Sequence, residues 1–294
     1  MEQGNPHLLR VHWDRVSAMK KYRRKLIQVI TAVLYNCNIT GFFEGSINKG
    51  AAKGVCVPGL NCYSCPGAVG SCPLGSLQSA LISSRYKAPY YMLGVLLLFG
   101  TLLGRVICGF LCPFGLIQEL LYKIPTPKWK KSRLTAALTK IKYVILIIFV
   151  VWMSLILGAP GFCKYICPAG TLEGGIPLAA ANESIRSMLG GLFTWKVAVM
   201  LAIFILCIFA YRGFCRFICP LGAFYSLFAR IAVIGYSVDE HKCSHCGRCT
   251  AYCKMDVKKV GDAECIQCGE CSQVCRDGAI CFRIPMKKES SCIF

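Results

Sequence analysis

Residues 111–118 read LCPFGLIQ, and the chain returns to that phrase three more times: SCPLGSLQ at 71–78, ICPAGTLE at 166–173 and ICPLGAFY at 218–225. Three of these copies carry a second cysteine four residues upstream, giving C-x3-C-P at Cys108/Cys112, Cys163/Cys167 and Cys215/Cys219. In the first copy the spacing is stretched. Its simplest partner for Cys72 is Cys65, itself followed by Pro66, with Cys62 as the alternative. Proline is favoured at the first position of a helix, where its missing N–H costs nothing, so each preceding cysteine belongs at a helix N-terminus. Free N–H groups and the helix dipole there stabilise a thiolate and an anionic centre bound to it. The glycine two residues after each proline lets another backbone pack close. A small buried hydrophobe at a helix start would explain one copy; four copies with paired cysteines point to metal ligation.

The sequence around these turns is apolar. Of 294 residues 55% are hydrophobic and 16% charged, and mean hydropathy is positive, which suits a membrane unit with a small appendage. There are 22 cysteines. A disulfide scaffold of that density would be short and loop-rich, without long apolar runs. The net charge of +20 comes from basic residues crowded beside apolar segments, not along one helix face with interleaved aromatics, which argues against nucleic acid as a partner.

Four stretches are apolar enough for helices crossing the ~30 Å hydrocarbon layer: 26–43, 88–107, 141–158 and 193–211. No small-residue cleavage site follows the first, so it is expected to stay in the mature protein. Arg10, Arg15, Lys20, Lys21, Arg23, Arg24 and Lys25 precede it, and the connection 123–142 is equally basic. Both belong in the cytoplasm. Connections 44–87 and 159–192 face outward, which returns the C-terminal tail to the cytoplasm. The expected organisation is a basic cytoplasmic segment 1–25, a helical membrane domain 26–235 with re-entrant or interfacial helices, a small α+β domain 236–284 and a tail 285–294.

From Cys243 the tail reads CSHCGRCTAYC and from Cys265 CIQCGECSQVC. The spacing C-x2-C-x2-C-x3-C thus occurs twice. In such a tandem three close thiolates hold three corners of a 4Fe-4S cubane and the fourth cysteine reaches across to the other cluster. Cluster one would take Cys243, Cys246, Cys249 and Cys275; cluster two would take Cys265, Cys268, Cys271 and Cys253. Zinc takes four ligands per site and has no use for stepped triplets with a distant fourth.

Topology sorts the membrane cysteines as well. Cys108, Cys112, Cys215 and Cys219 fall at cytoplasmic helix ends, a set for an inner cluster; Cys65, Cys72, Cys163 and Cys167 fall outside, a set for an outer one. The chain then has two similar halves, each offering an outer and then an inner pair. Arg105, Arg212, Arg216 and Lys164 flank the turns and could offset cluster charge or anchor helix ends. Glu119 and Glu173 are expected to stabilise helix starts, with proton relay for a quinone as the alternative; Cys37 and Cys207 are expected to pack, and Cys56 is unassigned, with a further cofactor at the outer site as one use for it. Cys281 and Cys292 read as incidental. His7, His12, His241 and His245 lie outside the spans, and no side-chain catalysis is expected.

The tail resembles the two-cluster bacterial ferredoxins, including Asp277-Gly278-Ala279-Ile280 after the last ligand, with Lys254 and Arg276 where those proteins place proline. Residues 88–280, through Cys108/Cys112, Cys215/Cys219 and the eight tail cysteines, resemble the NapH/NosR-type membrane polyferredoxins. The Cys163/Cys167 turn and the Cys56–Cys72 segment are additions to that pattern. The resemblance implies quinol oxidation feeding a reductase, or a protein that senses redox state or serves metal-centre maturation. The added outer cysteines fit a third expectation better: electrons from a cytoplasmic donor reach an extracytoplasmic acceptor, a flavoprotein or reductase. A quinone or flavin would then belong to a partner.

Overall fold

The computed structural model describes residues 22–48, 50–83 and 90–283. His7, His12, Cys292 and the basic residues before Tyr22 lie outside them.

Each Cys-Pro turn starts a helix with proline first: Pro73–Ser83, 168–181, Pro113–Leu121 and Pro220–Leu227. The cause is local. A residue before proline is pushed out of the α region, and Cys112 (φ −87°, ψ 114°) and Cys219 (φ −66°, ψ 111°) are extended accordingly. The partner cysteines sit on one-turn helices of matching sequence, GFCKY at Gly161–Tyr165 and GFCRF at Gly213–Phe217. Cys108 lies in a wide π-turn, Ile107–Leu111, a bulge that often marks functional sites.

Two helices are long and apolar enough to cross a membrane, Arg133–Ile156 and Gly191–Phe209. Only 28% and 17% of their apolar windows are buried inside the molecule, so neither is an ordinary core helix. Leu192, Trp195, Leu201 and Ile205 stand exposed on the second. The expected span 88–107 is a shorter helix, Tyr90–Leu102. Gly104, at φ +49°, ends it, since a left-handed residue cannot continue the helix. The expected span 26–43 is helical over 22–35, breaks at Cys37 and resumes at Thr40–Glu44. Among the described residues, then, two of the four expected spans have full length.

The tail closes with two antiparallel strands, β1 (Gly235–Val238) and β2 (Ile280–Arg283), in register Gly235↔Arg283 to Val238↔Ile280. It is held to the helical part by ion pairs. Asp256 accepts from Arg216 Nε at 2.6 Å, Glu264 from Lys142 at 2.7 Å and Arg105 at 3.3 Å, and Glu270 from Arg24 at 3.2 Å. Lys131 of the connection 123–142 also donates to Thr250 O at 2.7 Å. The basic segment at Arg24, this connection and the tail therefore share one end of the molecule.

Candidate metal centres

The two halves of the helical part bring their cysteines together pairwise. Cys108, Cys112, Cys215 and Cys219 are neighbours at the tail-facing end. Burial and then the nearby Cys215 and Cys108 push the Cys112 thiol up to about 12, and Cys219 is driven up by burial and the same three thiols. Such thiols ionise when a metal takes the proton's place. Backbone N–H groups aim at them in compensation: Gly115 at Cys112, and Gly222 at Cys219, the last at 3.3 Å. These are the helix N-termini that the Cys-Pro-x-Gly spacing predicts.

At the other end Cys62, Cys72, Cys163 and Cys167 gather. A Cβ placed on Gly170 would lie 3.8 Å from Cys62 Sγ and 3.9 Å from Cys167 Sγ, and one on Gly75 would lie 3.7 Å from Cys163 Sγ. Burial, then Cys72 and Cys62, push Cys163 up to about 12. Cys65 is turned aside, with Sγ donating to Asn36 Oδ1 at 3.4 Å. Of the two partners that the sequence offers, Cys62 is the one that stands with the other three. Cys56 faces Ser71 Oγ at 3.6 Å and Met92 Sδ at 3.5 Å and lies beside Cys72.

Segment 58–62 lies between the two sets. The Leu60 N–H points at Cys112 Sγ and the adjacent Asn61 N–H at Cys72 Sγ. Tyr225 donates to Pro58 O at 3.0 Å and Glu173 accepts from Cys62 N at 2.8 Å. Gly59 lets the segment pack close, since a Cβ would press on Leu111 O at 3.1 Å and Cys112 Cα at 3.3 Å.

In the tail Cys243, Cys246, Cys249 and Cys275 line one cavity of about 590 Å³. Cys271 neighbours Cys268, Cys265 and Cys253. Ile266, between two of these cysteines, packs its carbonyl against Gly109, where there is no room for a Cβ. The second tail set thus rests directly on the turn that carries Cys108.

The donor chemistry fits iron–sulfur clusters. Among the described residues no three His, Cys, Asp or Glu side chains converge closely enough for a single metal ion, whereas the four thiols of the first tail set line one shared cavity. Arg105 supplies a second observation. It is fully buried beside Cys108 and Cys215, its side chain is turned to the Cys108 thiol, and its Nε and Nη2 meet no oxygen or nitrogen acceptor. Orphaned buried donors are costly, and sulfur of a bound cluster would satisfy them.

The other flanking charges act differently. Arg212 donates to Glu119 at 2.6 Å and to Cys108 O, and Arg24 donates to the same carboxylate at 2.7 Å. Glu119 is thus a bridge between two arginines and not a helix-start charge: it sits in the second half of Pro113–Leu121. Glu173, fixed on Cys62 N, is pushed up by burial to about 7. Two side chains escaped notice in the sequence, Gln78 and Gln118. Each donates to a set cysteine, Gln78 to Cys163 at 3.3 Å and Gln118 to Cys215 at 3.0 Å. Their signal was the shared place at the end of the repeated octet.

The pattern of the 4Fe-4S binding domain matches residues 88–132, 143–176 and 192–235, and each stretch contains one C-x3-C-P turn. An uncharacterized protein of Methanocaldococcus jannaschii is 30% identical over 220 residues, covering 71% of this chain and 76% of its own length. The methylamine utilization ferredoxin-type protein MauN of Paracoccus denitrificans is 28% identical over 60% of this chain and 58% of its own. The regulatory protein NosR of Pseudomonas aeruginosa is 27% identical over 52% of this chain, which spans 21% of that larger protein. No solved structure matches.

Proposed function

The chain belongs to the NapH/NosR-type polyferredoxins that share the 4Fe-4S binding domain, and from that premise we propose that it relays single electrons across the cell membrane, from a cytoplasmic donor to an extracytoplasmic flavoprotein or reductase. The chain crosses the membrane four times in this scheme, with its N-terminus and the ferredoxin domain 236–284 in the cytoplasm. Four thiol sets hold the clusters: Cys243, Cys246, Cys249 and Cys275; Cys265, Cys268, Cys271 and Cys253; Cys108, Cys112, Cys215 and Cys219; and Cys62, Cys72, Cys163 and Cys167. A 4Fe-4S cluster bound at each would supply reversible one-electron storage.

The observation that carries the proposal is that successive sets adjoin, beginning with Cys249 of the first tail set beside Cys271 of the second. Ile266 of the second tail set touches the Cys108 turn, and adjacent peptides of segment 58–62 aim N–H groups at thiols of the two membrane sets. A ~30 Å hydrocarbon layer is long for one tunnelling step. Here Lys196, beside Gly170, and Cys207, whose Sγ is 3.6 Å from Gln118 Oε1, lie eleven residues apart on one helix. At 1.5 Å per residue that is ~16 Å of axial rise between the two sites. Irregular backbone at such depth is tolerated when buried in protein, and Leu60 and Asn61 are buried.

A second function, quinol oxidation, has one observation in its favour. A mostly apolar cavity of about 430 Å³ is lined by Leu26, Ile27, Phe110, Arg24 and the set cysteine Cys268, at the end where the basic segment enters. Sealed vesicles containing the purified chain test both functions. With an impermeant reductant on the tail side, reduction of an impermeant acceptor on the opposite side is expected without added quinone. Transfer that appears only with quinol would overturn the relay in favour of the second function.

A further inference from the structure

The four octets end on Gln78, Gln118, Glu173 and Tyr225, each six residues past its Cys-Pro cysteine. The structure divides them by task. Glu173 and Tyr225 hold segment 58–62, through Cys62 N and Pro58 O. Gln78 and Gln118 instead reach across to the opposite half, and they do so in the same way. Gln118 Oε1 accepts from Phe214 N at 3.1 Å and Cys215 N at 3.2 Å, while Nε2 donates to Cys215 Sγ at 3.0 Å and Phe114 O at 3.3 Å. Gln78 Oε1 accepts from Phe162 N at 3.2 Å, while Nε2 donates to Cys163 Sγ at 3.3 Å and Leu74 O at 3.5 Å. Backbone N–H groups on the oxygen fix which end of each amide is which, so the nitrogen must face sulfur. Both side chains are fully buried, where a hydrogen bond acts at low dielectric and cannot be replaced by water.

We propose that Gln78 and Gln118 are matched positioning residues, each raising the reduction potential of one membrane centre by donating an amide N–H to a ligand sulfur. The proposal rests on the assignment of clusters to the two membrane sets. One-electron reduction adds negative charge to the cluster and its thiolates, and an N–H aimed at sulfur stabilises the more negative state. Because each set has one such glutamine, the two potentials can be adjusted separately along the path.

The test is an EPR-monitored redox titration of the full chain with dithionite, on Gln118→Met and Gln78→Met. Methionine keeps most of the volume and removes the donor. Each substitution is expected to disfavour reduction of one cluster about tenfold, ~59 mV for one electron, and the two are expected to move different clusters. Gln→Glu at either site keeps the acceptor for the backbone N–H groups and serves where methionine impairs folding; it too is expected to lower one potential. In the unsubstituted chain, side-chain ¹⁵N-labelled glutamine should show hyperfine coupling to two clusters, and absence of that coupling overturns the inference whatever the variants do. Unmoved potentials at about 16 iron atoms per chain overturn it alone. Iron near eight overturns it together with the cluster assignment.

Discussion

Cys62 and Cys65 are three residues apart, both are followed by turn chemistry, and only the folded chain separates them. Cys65 donates to Asn36, whereas Cys62 is held at Cys163 and Cys167 by Glu173 on its backbone N–H. Cys62→Ser should therefore lower iron by about four atoms per chain and Cys65→Ser should leave it unchanged, as read by iron analysis beside the EPR spectrum. A reversal of the two results would return the fourth position to Cys65. The Glu119 carboxylate makes a separate prediction. Burial raises its pKa, but Arg212 and Arg24 outweigh burial and hold it at about 2, against an ordinary 4.5. A depressed pKa gives stability that is present above 4.5 and lost as pH falls from there towards 2. Glu119→Gln leaves two buried arginines without their shared anion, at a cost of about 3–5 kcal/mol. Its thermal unfolding midpoint should lie below that of the native chain at pH 7, and the gap should narrow below pH 4.5. An equal gap at pH 7 and pH 3 would remove Glu119 from that role.

At the scale of elements, the Cys-Pro helices were legible because their cause is local: proline excludes the α region from the residue before it and favours the first helical turn. The span 88–107 was less legible, since hydropathy does not register that Gly104 takes a left-handed conformation and ends the helix at Leu102. The contact between tail and helical part was not legible at all. Arg24, Arg105, Lys142 and Arg216 read as anchors for lipid headgroups or as partners for cluster charge, and their actual acids lie far along the chain, at Glu270, Glu264 and Asp256. Gly109 probes this contact, because an added Cβ would clash with the backbone oxygen of Ile266. Gly109→Ala should weaken docking by about 1–3 kcal/mol, the usual range for overpacking, while all tail iron is retained. Proteolytic release of the tail should be faster and electron entry into the membrane sets slower in stopped-flow reduction. Unchanged rates for both would mean that the tail docks elsewhere.

At the scale of the whole molecule, the first and third turns of the sequence repeat share one site and the second and fourth the other. That pairing followed from topology, because alternate turns fall at the same end of the helices. What the sequence could not supply was the course of the chain between the two sites. The segment Pro58–Cys62 reads as part of a long outer loop, yet it lies against both sites, with Tyr225 and Glu173 of the second half holding its two ends. The four thiol sets consequently form one continuous series from the tail inward. The most direct test of that series is a redox titration followed by EPR on the purified chain, with iron and acid-labile sulfide measured on the same sample. Four reducible centres and about 16 iron atoms per chain are expected; two centres with about eight iron would confine the clusters to the tail and contradict the relay.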